Sequence, residues 1–310
     1  MAKQLGYACI NMTLAKQGIS CNRSMIRRTF DAKGVAYASE LILENLRNLT
    51  KIVSWNNQHG IKVYRMSSNM FPWMSEYEFT DLPDYDKICN LLKGIGTLAM
   101  ENGQRLSFHP GQFCVLASPN EEVVLNAMNE LDKSAQIMDL MGLPESRMAK
   151  INIHVGGAYG DKKSALERFC KNFLRLQPSA QARLTVENDD KPSLYTTEEL
   201  YNDIYKRIDI PVVFDYHHHD LHPGRLTERE ALDMALATWP VGIRPVVHYS
   251  ESRSDEYGDP RIKPQAHSDS YVRAINTYGY EMDIMLEAKH KELALLEYRD
   301  IMKKELKVVA

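Results

Sequence analysis

The sequence predicts an α/β protein with the (β/α)8 architecture of a TIM barrel, in a single domain over residues 1–310. Three observations predict this fold: eight short strand-like segments, helix-like segments between them, and no low-complexity linker that would divide the chain. Strands that alternate with helices favour right-handed β-α-β units and therefore a parallel sheet. A length of 310 residues suits a barrel that folds as one domain.

The strand predictions rest on short segments rich in β-branched and aromatic residues, each bounded by turn-forming residues. The predicted strands are residues 5–11, 61–67, 105–109, 150–155, 183–188, 211–216, 245–249 and 280–287. In a closed parallel barrel the carboxyl ends of all strands lie on one rim. The residues at the end of each strand should therefore face one another.

The segments between the strands carry the start and stop signals of helices. Apolar residues at helical spacing between positions 42 and 53 predict an amphipathic helix that ends near Gly60. The tetrapeptide Ser-Pro-Asn-Glu at 118–121 has the pattern of a capping box that begins at Ser118, and it predicts a helix running to Gly142. The same cap is repeated before two later helices, by Thr196 with Glu199 and by Thr227 with Glu230.

Composition describes an ordinary globular protein and excludes several classes. The chain has no stretch approaching the ~20 apolar residues of a membrane span and no apolar leader, so we expect a cytoplasmic protein without a membrane contact. Five scattered cysteines without a C-x-x-C pair argue against a disulfide framework or a zinc ribbon. A net charge of -3 is no nucleic-acid signature, but bound cations would make such a surface more positive.

Residues of the types that ligate metals recur at the ends of six predicted strands. They are His109, His154, Glu187, Asp215 with the adjacent His217 and His218, His248, and Glu287. Any one of them alone would carry little weight, but six in the same topological position predict a multinuclear metal site and a hydrolase. His267, nineteen residues after His248, is a further candidate. The mixture of imidazoles and carboxylates suits zinc, manganese or iron and argues against a structural thiolate site.

Two of these segments need separate comment. Glu187 can bridge two cations, because each carboxylate oxygen can serve one metal ion. The run Asp-Tyr-His-His-His at 215–219 is ambiguous, since strand alternation lapses where a strand opens into a loop. Asp215 and one or two of the histidines are the expected ligands, and the period does not decide which histidines these are.

Aromatic and amide residues are predicted at the same rim as the metal-type residues. They are Tyr7, Asn11, Gln112 and Phe113. A planar aromatic beside a metal cluster can stack on nucleobases or wedge between them. The alternative is that Phe113 is buried packing at the top of the barrel.

These segments together resemble the UV-damage endonuclease family, which belongs to the class of TIM barrels that includes apurinic endonucleases and xylose isomerases. The resemblance covers nearly the whole chain. Its most specific stretches are Tyr-Arg-Met-Ser-Ser-Asn at 64–69, Phe-His-Pro-Gly-Gln at 108–112, Ile-Asn-Ile-His-Val-Gly-Gly-Ala-Tyr-Gly-Asp-Lys at 151–162, and Val-Glu-Asn-Asp at 186–189.

The resemblance implies a metal-dependent nuclease that nicks duplex DNA immediately 5′ to ultraviolet photoproducts, without a nucleotide cofactor and as a monomer. It implies two or three divalent ions, with Mn2+ the expected metal. By motif position, one ion would be bound by His109, His154 and Glu187, a second by Glu187, Asp215, His248 and Glu287, and a third by His218 and His267. Of these, His109, Glu187, Asp215 and Glu287 are the expected catalytic residues.

The resemblance also assigns the rim residues that would contact damaged double-stranded DNA. Gln112 and Phe113 match the wedge that probes the strand opposite the lesion, and Tyr7 and Asn11 match residues near the damaged dinucleotide.

The chain departs from the family in one ligand: some members carry a histidine after the serines at 67 and 68. Glu76 is a candidate replacement, or the first ion has one ligand fewer.

Val246 occupies a position where some members of the family carry a lysine, which makes the third site the least secure.

Two alternative functions use the same barrel. An abasic-site endonuclease would share the metal cluster but prefer a baseless sugar. A sugar isomerase of the xylose-isomerase type would need a catalytic lysine on the inner strands, and we expect no suitably placed lysine there.

Overall fold

The computed structural model describes the backbone of residues 3–308 and the side chains of residues 3–302; the ends of the predicted domain lie outside these residues. Within them, eight parallel strands alternate with helices, as predicted. The strands are β1 Gln4–Ala8, β2 Val63–Arg65, β3 Arg105–Ser107, β4 Ile151–Ile153, β5 Leu184–Glu187, β6 Val212–Val213, β7 Val246–Tyr249 and β8 Asp283–Leu286. Each is shorter than predicted, because the terminal residues leave the hydrogen-bonded ladder to form the rims.

The strands form two hydrogen-bonded groups that close on each other. One group has the order β3-β2-β1-β8-β7 and the other has the order β4-β5-β6. Single parallel bridges join the groups, between Phe108 and Ile151 and between Asp215 and His248. The second bridge includes the hydrogen bond from the His248 N–H to the Phe214 carbonyl, at 2.9 Å. The prediction of a TIM barrel is therefore confirmed, and its closure places two predicted ligands side by side.

The helices occupy the intervals that the sequence predicted. Those in the described backbone are α1 Met12–Ala15, α2 Arg27–Gln58, α3 Tyr85–Glu101, α4 Glu121–Leu140, α5 Lys162–Phe173, α6 Pro178–Arg183, α7 Thr197–Leu200, α8 Lys206–Ile208, α9 Tyr216–Leu221, α10 Glu228–Leu236, α11 Arg253–Tyr257 and α12 Lys291–Val308. Within the described residues, none of these helices has both the length and the apolar character that crossing a membrane requires.

The capping predictions are confirmed for two helices and corrected for a third. Thr196 and Thr227 both cap their helices in full capping boxes. At α4 the cap is Asn120, whose side chain accepts a hydrogen bond from the Glu122 N–H. Ser118 instead accepts from the Asn120 N–H at 3.1 Å and so closes the turn before the helix. The start of α4 is two residues later than predicted because Asn120 is an equally good cap in the position nearest the helix.

The interior of the barrel is closed below the rim. Small and apolar side chains from five strands pack together there, namely Ala8, Val63, Val213, Val246 and Met285. At the amino-terminal end of the strands, Arg105 lies across the interior and donates to Asp283 at 3.0 Å. The remaining opening is at the carboxyl ends of the strands, where active sites of this architecture are built.

Candidate metal centre

Predicted ligands from separate strand ends meet around Glu187, the last residue of β5. Glu187 is 1% exposed. Its Oε2 atom lies 3.2 Å from His109 Nε2 and 3.1 Å from His248 Nδ1. His154 Nε2 lies 4.0 Å from the same oxygen. Residues that are far apart in sequence therefore present nitrogen and oxygen donors to one small volume.

The donors form two sets that share Glu187. Within the part of the chain that the structure describes, the sets in which all donor atoms lie within 4.8 Å of one another are His109–His154–Glu187 and Glu187–Asp215–His248. Glu287 lies beside the second set, with its Oε1 atom 3.3 Å from His248 Nδ1. A shared carboxylate between two three-donor sets is the arrangement that a two-metal site requires.

Four of the histidine rings have an oxygen partner at Nδ1. Three of these partners are backbone carbonyls within hydrogen-bond distance: Pro110 for His109 (3.1 Å), Asn188 for His218 (2.8 Å) and Glu287 for His267 (3.0 Å). His154 Nδ1 lies 2.9 Å from the Asp189 carboxylate, as an ion pair. An acceptor at Nδ1 fixes the proton there and leaves the lone pair on Nε2 for a metal. Four histidines thus have the orientation typical of metal ligands.

Buried amide side chains hold the carboxylates in place. Asn152, two residues before His154 on the same face of β4, donates to Glu187 Oε2 and accepts from Thr185 at 2.7 Å. Asn188 forms a pair of hydrogen bonds with the backbone of Asp215, at 2.8 and 3.0 Å. Asn152, Asn188 and Asp189 were not among the site residues predicted from the sequence. Their positions in the sequence, on or just after strands that carry predicted ligands, could have identified them.

The centre contains more negative charge than its fixed cation balances. Among the described side chains, the guanidinium in contact with these carboxylates is that of Arg65, which donates to Glu287. Burial raises the pKa of Asp215, and Glu187 and Glu287 raise it further. Burial would also raise the pKa of Glu187, but His248 and His154 outweigh burial and hold that pKa well below its usual range. An excess of buried carboxylates is stable only with cations or protons nearby.

The histidines divide according to whether the nearby carboxylates outweigh burial. Burial opposes the charged form of His154, yet Glu187 and Asp189 outweigh it and raise the pKa of His154 to about 9. In the same way Asp215 and Glu187 raise the pKa of His218 to about 9. For His109 burial prevails and lowers the pKa to about 4. The protein therefore attracts positive charge to the side of the centre formed by β4 and α9.

A lysine lies inside the barrel, contrary to the expectation from the sequence. Lys150 directly precedes β4 and is 1% exposed, and its Nζ atom has no hydrogen-bond partner among the described residues. Burial lowers the pKa of this amine to about 7, although Glu187 partly opposes the shift. The expectation was wrong because the side chain of Lys150, the first residue of the predicted strand, points into the barrel.

The predicted wedge residues occupy the corner of a tight turn after β3. The Cys114 N–H donates to the Gly111 carbonyl at 3.0 Å, so Gln112 and Phe113 are the two central residues of the turn. Phe113 is 82% exposed, which excludes the alternative that it is buried packing. The turn borders a groove of about 1020 Å³ that also contacts His154, His218 and His267.

Tyr7 and Asn11 are placed differently from the wedge. Both are buried, and the Tyr7 hydroxyl donates to Asn56 at 2.8 Å while Asn11 donates to that hydroxyl at 3.0 Å. Asn11 also caps α1 through the Leu14 N–H. Their contact with DNA stays a prediction, and it requires this hydrogen-bonded group to open.

The other candidates lie at the edge of the centre or outside it. Glu76 is exposed and pairs with Arg27 at 3.1 Å, so in this conformation it is not grouped with the ligands. His218 lies 3.5 Å from Glu187 Oε1, and His267 lies 3.8 Å from Glu287 Oε2. His217 packs its ring edge-on against His267, with the ring centroids 5.7 Å apart. A third site formed by His218 and His267 stays a prediction.

The fold and the donor sets define a TIM-barrel protein with a candidate multinuclear metal centre at the carboxyl ends of its strands. Comparison with protein families gives its family. Residues 3–310 match the model of the UV-endonuclease UvdE family. The chain therefore belongs to the UV-damage endonuclease family.

Individual relatives agree with this assignment. A UV-damage endonuclease of Schizosaccharomyces pombe is 36% identical over 304 residues, which are 95% of this chain and 50% of the yeast protein. A UV DNA damage endonuclease of Bacillus cereus is 37% identical over 272 residues, 84% of this chain and 81% of that protein. The chain thus spans about half the length of the yeast relative.

Solved structures confirm the fold. The crystal structure of SacUVDE superposes with a TM-score of 0.84 at 32% identity, covering 99% of this chain and 100% of that one. Endonuclease IV from Thermus thermophilus superposes with a TM-score of 0.58 at 13% identity, covering 97% of this chain and 99% of that one. At that level of identity the second likeness concerns the fold alone.

Proposed function

We propose that the protein is a metal-dependent endodeoxyribonuclease that nicks duplex DNA immediately 5′ to ultraviolet photoproducts, both pyrimidine dimers and 6-4 photoproducts. The observation that carries the proposal is the convergence of two donor sets on Glu187 in a member of the UV-damage endonuclease family. The fold explains only where such a site is placed, because the same barrel supports many reactions. The donor set and the family together favour hydrolysis of a DNA phosphodiester.

The donors fit divalent metal ions. Among the residues that the structure describes, Asp215 Oδ2 and both ring nitrogens of His248 are buried without a hydrogen bond, which is costly unless another partner binds there. We assign one ion to His109, His154 and Glu187, and a second to Glu187, Asp215, His248 and Glu287. His218 and His267 would bind a third. Mixed imidazole and carboxylate ligands suit Mn2+, the metal we propose.

The chemistry that the divalent ions supply when bound is a hydroxide at neutral pH and neutralisation of the charge that develops on the phosphate. The chain provides the orientation. Asn152 donates a hydrogen bond to one oxygen of Glu187, and the other oxygen faces His218. These two contacts fix the orientation of the carboxylate. Asp189 keeps the proton of His154 on Nδ1. The groove beside these residues, of about 1020 Å³, is the surface through which we propose that a DNA backbone reaches them.

Lesion recognition would rest on how easily damaged DNA deforms. A photodimer stacks and pairs poorly, so kinking or unstacking that step costs less free energy than in intact DNA. The exposed ring of Phe113, with Gln112 beside it, is placed to enter a weakened stack from the edge of the groove. Selection by deformability explains how one site would accept several lesions.

We further propose that the protein acts as a monomer in the cytoplasm. Every ligand in the assignment comes from one chain, so the centre needs no second subunit. The cysteines of the structure are all free thiols, as expected in a reducing compartment.

The test is nicking of an end-labelled duplex with one defined photodimer, beside an undamaged duplex and an abasic duplex. Each is measured with Mn2+ and then with chelator. We expect cleavage just 5′ to the dimer that chelation abolishes. Cleavage of the abasic duplex alone would instead assign the protein to abasic-site repair. Inactivity of a metal-loaded protein on all three would overturn the proposal and favour sugar isomerisation.

A further inference from the structure

A second exposed aromatic residue lies in the groove, and the proposed mechanism does not use it. Tyr159 follows β4 and is 49% exposed, and its side chain borders the same groove as Phe113 and His154. Like Phe113 it occupies a tight turn, since the Asp161 N–H donates to the Ala158 carbonyl at 3.0 Å. The two aromatic residues thus lie in tight turns that follow adjacent strands of the barrel.

The backbone of Tyr159 is strained. Its φ is 51°, and the next residue, Gly160, has a φ of 81°. Turns whose two central residues both have positive φ are normally built from Gly, Asn or Asp, because a Cβ atom is crowded there. A tyrosine in this position is unfavourable for folding. Strain of this kind is typically found where the side chain has a function.

The surrounding residues hold the ring of Tyr159 in the groove. The guanidinium carbon of Arg168, on α5, lies 5.7 Å from the ring centroid. A Cβ atom added to Gly157 would lie 3.3 Å from the ring. The ring is therefore restrained by a cation and by close contact with a glycine, while about half of the residue's surface is left exposed to a ligand. An aromatic residue that served only as packing would be covered instead.

The same residues join the two aromatic turns into one unit. Arg168 Nε donates to the carbonyl of Ala117, at the end of the segment that carries Phe113. Gly156 packs so closely on Val115 that an added Cβ would lie 2.1 Å from it. The two exposed rings are thus fixed to each other as well as to the metal centre.

We propose that Tyr159 is a stacking surface for an unstacked nucleobase of the DNA substrate, and so a second recognition residue beside Phe113. The inference rests on the proposed function. DNA that is kinked at a lesion exposes base faces that need a new partner. Aromatic side chains supply such partners whatever the base, because every base has a π-face.

The experiment measures binding of a fluorescein-labelled duplex that contains one thymine dimer, a phosphorothioate 5′ to it to slow cleavage, and 2-aminopurine opposite it. The metal-loaded protein is compared with Tyr159→Leu and Tyr159→Phe. We expect Tyr159→Leu to weaken binding roughly 5- to 150-fold, the loss associated with one stacked base. Tyr159→Phe should bind like the wild type. The 2-aminopurine signal should be quenched by the wild type and recover in Tyr159→Leu.

Two further variants separate recognition from folding. Tyr159→Gly relieves the positive φ, so its Tm should not fall, while its binding should be as weak as that of Tyr159→Leu. Tyr280, an exposed tyrosine just before β8 at the opposite end of the barrel, provides the matched control Tyr280→Leu, with unchanged binding expected. Wild-type affinity in Tyr159→Leu or Tyr159→Gly would overturn the inference. A wild-type protein that neither binds nor nicks the duplex would overturn the proposed function itself.

Discussion

Two buried polar clusters occupy opposite ends of the same barrel, and they differ in how their polar atoms are paired. At the amino-terminal end Arg105 donates to Asp283 and to the carbonyls of Met148 and Arg244. At the carboxyl end Asp215 Oδ2 and both His248 nitrogens have no hydrogen bond within the described part of the chain. Arg105, Asp283, Asp215 and His248 are all buried.

The difference indicates which cluster is structural and which is a binding site. A buried polar group without a partner costs about 1–3 kcal/mol, so a protein retains several of them together only where another partner binds. The polar groups of the Arg105 cluster are paired with one another and with backbone carbonyls. This cluster closes the floor of the barrel, which is its amino-terminal end. The Glu187 cluster has donor groups that could hold cations. Substitutions in the two clusters should therefore have different consequences.

The largest effect is expected for Glu187→Gln at the rim. Loss of the shared carboxylate charge should lower nicking roughly a thousandfold or more, because metal stabilisation of the transition state is worth several kcal/mol. Folding should persist, since the amide has the same shape. Single-turnover nicking of a photodimer duplex measures the effect, with Tm as the control. A soluble, metal-loaded variant with normal activity would contradict the assignment of Glu187 as the bridge.

The opposite outcome is expected for Arg105→Met at the floor. Removing one partner of a buried ion pair leaves the negative charge of Asp283 only partly neutralised. This should lower the free energy of unfolding by about 3–5 kcal/mol. Arg244, 3.2 Å from Asp283, should keep the loss near the lower value. Urea denaturation provides the measurement. At a temperature where the variant is folded, its nicking rate should equal that of the wild type, and a selective loss of activity would make the floor part of the site.

A smaller effect is expected for Asp189→Asn, which tests the anchored orientation of the rings. The amide is a weaker acceptor for the Nδ1 proton of His154, so Mn2+ affinity should fall about 10- to 100-fold. Titration of the metal-free protein with Mn2+, followed by electron paramagnetic resonance, measures this directly. Asp190→Asn, at the adjacent acidic residue, is the matched control. Equal affinities in the two variants would remove Asp189 from the centre.

The smallest effect, when expressed per pH unit, concerns Lys150, which lies between the two clusters. Its pKa in the folded protein is about 7, against 10.5 for an ordinary lysine. Between these values the unfolded chain binds the proton and the folded chain does not, so stability rises with pH by at most about 1.4 kcal/mol per unit. Lys150→Met should remove this dependence in the metal-free protein. Denaturation curves at several pH values check it, and an unchanged slope would mean that the amine is charged when folded.

Much of the fold and part of the candidate site could be predicted from local patterns. Strand-like segments and caps recur at short range, so their order predicted the barrel and the rim residues. The run at 215–219 shows the limit of this approach. Asp215 caps α9 and accepts from the His218 N–H at 2.8 Å, so a helical turn brings these two residues together. Strand alternation could not show this, because the backbone changes from strand to helix at Asp215.

The sequence by itself determined the barrel class, the eight strands and the residues placed at their carboxyl ends, because these depend on periodicities of a few residues. The tertiary structure alone decided that Lys150 lies near Glu187 and Arg105, that Tyr7 contacts α2, and that Asp189 pairs with His154. Such pairings depend on how the strands close and how the helices pack around them. A residue's local pattern sets the direction of its side chain, but the distant segment that it meets is set by closure of the whole barrel.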